Sequence, residues 1–415
     1  MEEPQVQWKT PTRFNGLAYS WRNTSVFLHQ HIIRRSSFHQ KRMDKYGPLF
    51  RTNLLGKPVV ISTDREINRF IFQQEERLFQ TWYVESFTEI LGQESVIVLH
   101  GFIYKYLKNL MLTLLGPDNL KTRLLPEVEH TTQKHLKMWA SQGRVDLKDA
   151  IATMIFDLTA KKLISYDESK TSEKLRENFV DFIDGLISIP LNIPSTAYYK
   201  CLQGRKRAVK MLKDMIKERQ ASPEIRHDDF LDVVLEEMKK DGGYLSEGIV
   251  IDLIFVLLFA SFETTSAALT LAMKFLGDHP SVLVELTKEH EAILRSRENV
   301  DSEITWIEYK SMTFTYMVIN ETVRLANIVP GIFRKTIKDG LDLNAGSKTF
   351  MAFGGGVRLC VGADFSKLQM AVFLHYLILK FEFVRWTPIK GGDITRRPGL
   401  AFPNGVHVHI SKKSN

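Results

Sequence analysis

The chain has 415 residues, 44% hydrophobic and 25% charged, an ordinary globular composition that excludes a disordered chain, a collagen-like repeat and a coiled coil. Two cysteines, Cys201 and Cys360, exclude a disulfide scaffold and any site built on four thiolates. A net charge of +8 favours acidic partners or anionic surfaces but is too diffuse to argue for nucleic acid, and none is expected.

Helical periodicity dominates from end to end. Leu49–Leu54 and Pro58–Ser62, flanking Gly56-Lys57, predict a hairpin near the start. Helices are then predicted at Phe102–Leu115, Thr132–Ala140, Leu147–Ser165 and Ser172–Ser188. Asp229–Lys239 sets Phe230, Leu231, Val234, Leu235 and Met238 on one face, with Asp228 and Asp229 as candidate caps. A long helix starts at Ser246, runs to about Leu276 and stops at Gly277-Asp-His-Pro280. Ser281–Arg297, Thr313–Ala326 and Gly362–Phe383 are further helices, and Val406–Ile410 is a late strand. Asp252 and Glu263 interrupt the apolar stretch Ile249–Met273, so it reads as a buried core helix and not as a membrane span. Residues 1–50 hold no apolar run of signal-peptide or spanning length. No repeat and no linker divides the chain, so the expected class is one mainly α domain with small β-sheets.

Phe353-Gly-Gly-Gly356-Val-Arg358-Leu-Cys360-Val-Gly362 carries the sharpest chemistry. The glycines permit a tight turn with positive backbone angles and close approach of a flat ligand. A cysteine just ahead of a helix gains from its dipole and amide groups, which favour the thiolate. Arg358 adds positive charge and can grip a carboxylate in a fork. One thiolate without a second cysteine or a neighbouring histidine suits axial ligation of haem iron better than zinc. In the long helix, Ala260-Ser-Phe-Glu263-Thr264-Thr265 sets an acid beside an alcohol, a costly pairing in an apolar helix unless both find partners. Such a pair can relay protons, or the hydroxyl can simply bond back to the preceding turn. Glu321-Thr-Val-Arg324 puts opposite charges on one helix face.

These segments resemble the cytochrome P-450 family. Phe-x-x-Gly-x-Arg-x-Cys-x-Gly is that family's haem-binding signature, and every fixed position is matched at Phe353, Gly356, Arg358, Cys360 and Gly362. The resemblance implies the family fold, with haem between the long central helix and the cysteine-loop helix. It implies Cys360 as the iron ligand, Arg358 and Arg334 as haem propionate contacts, and Tyr104 with Lys108 as a further such contact. It implies Glu263 and Thr264 as the oxygen-activation pair, with Ser261 where the family has glycine, and Glu321–Arg324 as a buried pair bracing the cysteine loop. The details look most like plant hydroxylases of sterols and triterpenoids. On that analogy a small hydrophobic substrate meets Phe79, Trp82, Leu186, Phe259, Ala260, Val329, Ile332, Leu400 and Phe402.

The cofactors implied are haem b (iron protoporphyrin IX), O2 and NADPH. No flavin or dinucleotide fingerprint is present, so electrons are expected from an NADPH–cytochrome reductase, a flavoprotein docked near Lys105, Lys108, Lys121, Arg123, Lys134, Lys137 and Lys367. The resemblance also implies a monomer on the cytosolic face of the endoplasmic reticulum membrane, although residues 1–45 form an atypical segment without an anchor. The haem domain is expected over 46–415. Only 36 positions separate Arg324 from Cys360, and the family's Pro-x-Arg-Phe element is absent between them; an internal deletion is expected near 338–346. That shortening keeps open a truncated, inactive variant, and a haem-thiolate isomerase of the same fold stands as a further alternative.

Overall fold

The computed structural model describes residues 25–29, 37–54, 57–170, 174–179, 182–186, 188–240, 243–337, 351–384, 394–397 and 399–413. The 338–346 interval and most of residues 1–45 lie outside the described residues. The chain forms two compact units, one from Met1–Val84, Val329–Cys360 and Arg396–Gly399, the other from Glu85–Ile328, Val361–Thr395 and Leu400–Asn415.

The first unit is built on a five-stranded sheet. Its strand order is Leu49–Leu54, Lys57–Ser62, Ser25–His29, Gly331–Thr336 and Phe79–Thr81. Ser25–His29 runs parallel to Lys57–Ser62 and antiparallel to Gly331–Thr336. The predicted hairpin is the Leu49–Leu54 and Lys57–Ser62 pair. The helix Arg65–Gln73 begins where the Asp64 side chain accepts from the amides of Glu66 and Ile67. It buries Phe70, Ile71 and Phe72 against Phe79, with Phe70 and Phe79 edge to face at 6.2 Å between centroids.

The second unit is helical. Its central helix, Glu247–Asp278, is capped by Ser246, whose hydroxyl accepts from the Ile249 amide. It packs along Leu147–Ile164. It is long and apolar enough to cross a membrane by length and composition alone, yet most of its apolar window is buried, as expected for a core helix. Phe156, Phe179, Phe182, Phe255, Phe259 and Phe262 stack around it in tilted and edge-on pairs. A three-stranded sheet of Arg144–Asp146, His407–Lys412 and Phe381–Val384 lies in the same unit.

The departures from expectation include three in the second unit's helices. Ser172–Ser188 was expected as one α-helix, but residues Leu175–Phe179 form a 3-10 turn and Phe182–Leu186 a short helix. Leu175, Phe179, Phe182 and Leu186 recur at helical spacing and are buried, so the apolar pattern predicted the buried face but not the break between the two turns. A 25-residue helix, Ala197–Ala221, carries no prediction, because its basic side chains mask a buried face of Tyr198, Cys201, Ala208, Leu212 and Ile216. The predicted Gly362–Phe383 helix ends at Lys380, since Phe381–Val384 is taken into the sheet.

Two buried histidines join helices Pro280–Arg295 and Ala363–Lys380. His290 and His375 share a hydrogen bond between their Nδ1 atoms at 3.0 Å, and His290 Nε2 lies 3.2 Å from the Thr315 hydroxyl. Burial disfavours the charged ring and pushes His290 down to about 4; His375 is pushed down as well, by burial first and by its partner second. Both rings are therefore neutral when folded, while the unfolded chain takes up protons near the usual value of 6.5. Stability is full above about pH 6.5 and falls as the pH drops toward 4, by up to about 1.4 kcal/mol per pH unit for each ring. Urea midpoints at pH 7 and pH 5 measure this, and His375→Gln should flatten the slope.

Candidate haem-binding and catalytic residues

The cysteine loop belongs to the first unit. Gly354 and Gly356 have φ of +79° and +63°, the left-handed region that favours glycine. Gly356–Arg358 turns as a 3-10 helix, and the Cys360 amide donates to the Phe353 carbonyl at 3.0 Å, closing the loop on itself. The loop lies against the end of the Arg65–Gln73 helix: a Cβ on Gly356 would overlap the Phe72 carbonyl oxygen, and one on Gly355 would press on the Phe72 ring. Cys360 is exposed at the loop's end. The following helix starts at Ala363, with Gly362 in the capping position.

Arg334 and Arg358 meet at a residue that sequence reasoning missed. Glu75, 1% exposed, accepts from Arg334 Nε, and its Oε1 lies 3.4 Å from Arg358 Nε. The same oxygen accepts from the Thr81 hydroxyl at 3.0 Å. Arg334 also donates from Nη1 to the Phe333 carbonyl at 2.8 Å. Burial pushes the nearby Tyr83 phenol up, against the pull of both guanidiniums. In the sequence Glu75 sits in the polar run Gln73-Gln-Glu-Glu-Arg77, which reads as a solvated turn; nothing in its pattern distinguishes Glu75 from Glu76.

On the central helix, the stretch Val250–Val256 and the stretch Thr265–Met273 are buried, but Ala260 between them is exposed and Phe259, Ser261, Glu263 and Thr264 are half-buried. A helix covered on both sides of a bare alanine has an uncovered window, and Thr264, one turn from Ala260, shares that face. The Thr264 hydroxyl donates back to the Ala260 carbonyl at 2.9 Å, and Ser261 does the same to Leu258 at 3.0 Å. Glu263 is held by Lys148 of the Leu147–Ile164 helix, whose Nζ lies 3.1 and 3.2 Å from its two oxygens and 2.9 Å from the Ser266 hydroxyl. Thr265 and Ser366 share a hydrogen bond at 3.0 Å, tying the central helix to the cysteine-loop helix.

Glu321 and Arg324 do pair, Nε and Nη2 donating at 2.6 and 2.5 Å, but on the surface: their side chains are 54% and 43% exposed. The expected burial of this pair is not what the structure has. The arginine still holds the Glu321 carboxyl below the usual carboxylate range through these bonds. Such an exposed pair contributes only about 0.3–0.5 kcal/mol. Tyr104 is buried and Lys108 half-buried on one face of Gly101–Leu115.

The expected pocket residues are dispersed in environment. Phe79 is packed in the core of the first unit, with Ile332 against the same cluster, so Phe79 serves packing and not a pocket wall. Trp82 meets Phe333 edge to face at 5.8 Å. Val329 is exposed, Leu186 buried, Leu400 and Phe402 half-buried, and Phe259 stacks near Phe179 and Phe182. Lys105, Lys121, Arg123, Lys134 and Lys137 are exposed in the second unit, while Lys108 and Lys367 are half-buried.

Among the described residues no cluster of three or more histidine, cysteine or acidic side chains could hold a bare metal ion. The donor set that is present is one exposed thiol on a glycine turn and two arginines gathered by a single carboxylate, which fits an iron porphyrin with anionic side groups.

The family model described as cytochrome P-450 matches residues 20–343 and 343–405. The chain belongs to the cytochrome P-450 family. As a member of this family of haem-dependent monooxygenases it is 47% identical to cytochrome P-450 87A3 of Oryza sativa subsp. japonica, over 99% of this chain and 88% of the relative. It is 37% identical to cucurbitadienol 11-hydroxylase of Siraitia grosvenorii, over 91% of this chain and 87% of that one. The retinoic acid bound cyanobacterial CYP120A1 structure superposes with a TM-score of 0.80 at 25% identity, covering 91% of this chain and 95% of that one, and establishes the cytochrome P-450 fold.

Proposed function

We propose that this cytochrome P-450 hydroxylates a hydrophobic triterpenoid or sterol-like substrate, using O2 and electrons passed from NADPH by a flavoprotein reductase. The observation that carries the chemistry is the exposed Cys360 at the end of a self-closed glycine loop. The substrate class rests on the likeness to a cucurbitadienol hydroxylase. Haem b, when bound, supplies the iron at which O2 is activated for insertion into a C–H bond.

The chain's own side chains have distinct tasks. The Cys360 thiolate is the iron ligand, and Arg358 and Arg334 grip the propionates, with Tyr104 and Lys108 as a weaker second contact. Thr264, on the uncovered window beside Ala260, holds a proton on its Oγ1. Glu263 keeps a charged partner in Lys148, so its carboxylate is anchored toward the Leu147–Ile164 helix while the threonine faces the window. Ala260 and Phe259 border the substrate. The exposed Lys105, Lys121, Arg123, Lys134 and Lys137 attract an acidic reductase, and the enzyme works at the endoplasmic reticulum membrane surface.

A second reading, a shortened chain with impaired haem retention, is favoured by a specific observation. The Glu321–Arg324 pair is exposed. In support, the family match divides at residue 343, and the alignment with the rice relative runs to 453 positions for a chain of 415. We read this as an internal deletion near 338–346 within one haem domain over 46–415.

A carbon monoxide difference spectrum of the reduced chain decides between the two readings, and reductase-dependent hydroxylation of a triterpenoid then tests the substrate class. Thr264→Ala is expected to raise NADPH consumed per product by about tenfold. An unchanged ratio would remove the threonine from proton delivery.

A further inference from the structure

We infer that Glu75 is a positioning residue for haem: it aims the guanidiniums of Arg334 and Arg358 at the propionates. The inference rests on the haem-thiolate reading above and adds to it a residue outside the signature segments.

Three elements of the first unit converge on this one side chain. Glu75 follows the Arg65–Gln73 helix, Arg334 lies on the strand Gly331–Thr336, and Arg358 lies in the cysteine loop. Thr81, which donates to Glu75 Oε1, is the register partner of Arg334 across the sheet. The carboxylate accepts a hydrogen bond from Arg334 Nε, the inner nitrogen of its fork, and pairs by charge alone with Arg358 Nε at 3.4 Å, where no hydrogen bond forms. Contact at Nε holds a guanidinium from its inner side, opposite the edge that grips a carboxylate in two parallel bonds. Arg334 is further fixed by its bond to the Phe333 carbonyl and lies over the Phe72 ring. All three side chains are nearly inaccessible to solvent, with exposures of 1%, 3% and 9% for Glu75, Arg334 and Arg358.

Charge points the same way. Two guanidiniums and one carboxylate make a cationic trio, which favours anionic groups beside it. Haem brings two propionates. Long arginine side chains that are already ordered lose less freedom when those propionates arrive, which is preorganisation.

Two effects of removing the acid oppose each other. Neutral glutamine at position 75 makes the trio more cationic and would draw propionates harder, while exchanging one of the two acceptor oxygens for an amide donor loosens the hold on the arginine forks. The inference is that orientation wins. The experiment compares wild type, Glu75→Gln and Glu75→Asp, each loaded with haem or with its dimethyl ester, in which the propionates are esterified and neutral. Transfer of the porphyrin to a globin scavenger is timed, with far-UV circular dichroism to check the fold. Glu75→Gln is expected to lose haem about tenfold faster than wild type but to release the ester at the wild-type rate. Glu75→Asp, which keeps the charge on a shorter arm, should fall between for haem; it also provides the comparison if the glutamine variant does not fold. Equal acceleration for haem and ester would overturn the inference, since a merely structural residue treats both alike. So would haem held as long or longer by the glutamine variant. A wild-type chain that takes up neither porphyrin would instead overturn the haem reading, and the inference with it.

Discussion

Cys360→Ser is expected to abolish the thiolate signature of the reduced, carbon monoxide-treated chain and to leave its far-UV helicity unchanged. Only one other thiol could replace it, and Cys201 is fully buried, with a Cβ on Gly185 overlapping it and the Phe182 carbonyl 3.9 Å from its Sγ. A serine hydroxyl is a far weaker iron ligand than a thiolate at neutral pH. The bond that closes the loop runs from the residue-360 backbone amide to the Phe353 carbonyl, so serine keeps it. Because the side chain is exposed, the stability change should stay within about 0.5 kcal/mol. The spectrum and a thermal melt of the same sample test both halves. A surviving thiolate band would mean that another group ligates the iron; Cys201→Ala, as the control, should keep it.

Gly356→Ala is expected to cost about 2–5 kcal/mol, strain at a left-handed backbone added to overpacking. At φ +63° an alanine is strained, and its methyl group would overlap the Phe72 carbonyl, a backbone atom that cannot swing aside. The neighbouring glycines grade the argument. Gly354 is also left-handed, at φ +79°, but a Cβ there meets nothing closer than the Arg358 carbonyl at 3.8 Å, so only the strain of about 1–2 kcal/mol applies. Gly362 has an ordinary φ of −85° and open space where a Cβ would go, so alanine should be nearly neutral. Urea unfolding and haem content per chain, measured across the three variants, should rank Gly356 far above Gly354 and Gly354 above Gly362. If Gly356→Ala behaves like Gly362→Ala, the loop does not sit against Phe72 as described.

The cysteine loop was legible in the sequence because its requirements are local: left-handed glycines, an arginine and a cysteine at fixed spacing. The central helix was legible because Ser246 starts it and Gly277-Asp-His-Pro280 ends it, and the observed helix runs from Glu247 to Asp278. What stayed hidden depends on contacts distant in the chain. Glu75 looks solvated until the strand bearing Arg334, 259 positions away, is laid beside it. Lys148 gives no sign that it will neutralise Glu263, 115 positions on. The Glu321–Arg324 spacing predicted the pair itself but not its exposure, because i, i+3 spacing fixes which side chains meet and says nothing of what covers them.

The seat of Gly356 on the Phe72 carbonyl also limits what inheritance can do there. Every codon one nucleotide away from a glycine codon, apart from the synonymous ones and stop, specifies a residue with a Cβ. A single-base missense change at this position therefore has no mild version, and in any mutagenised population its survivors should be silent.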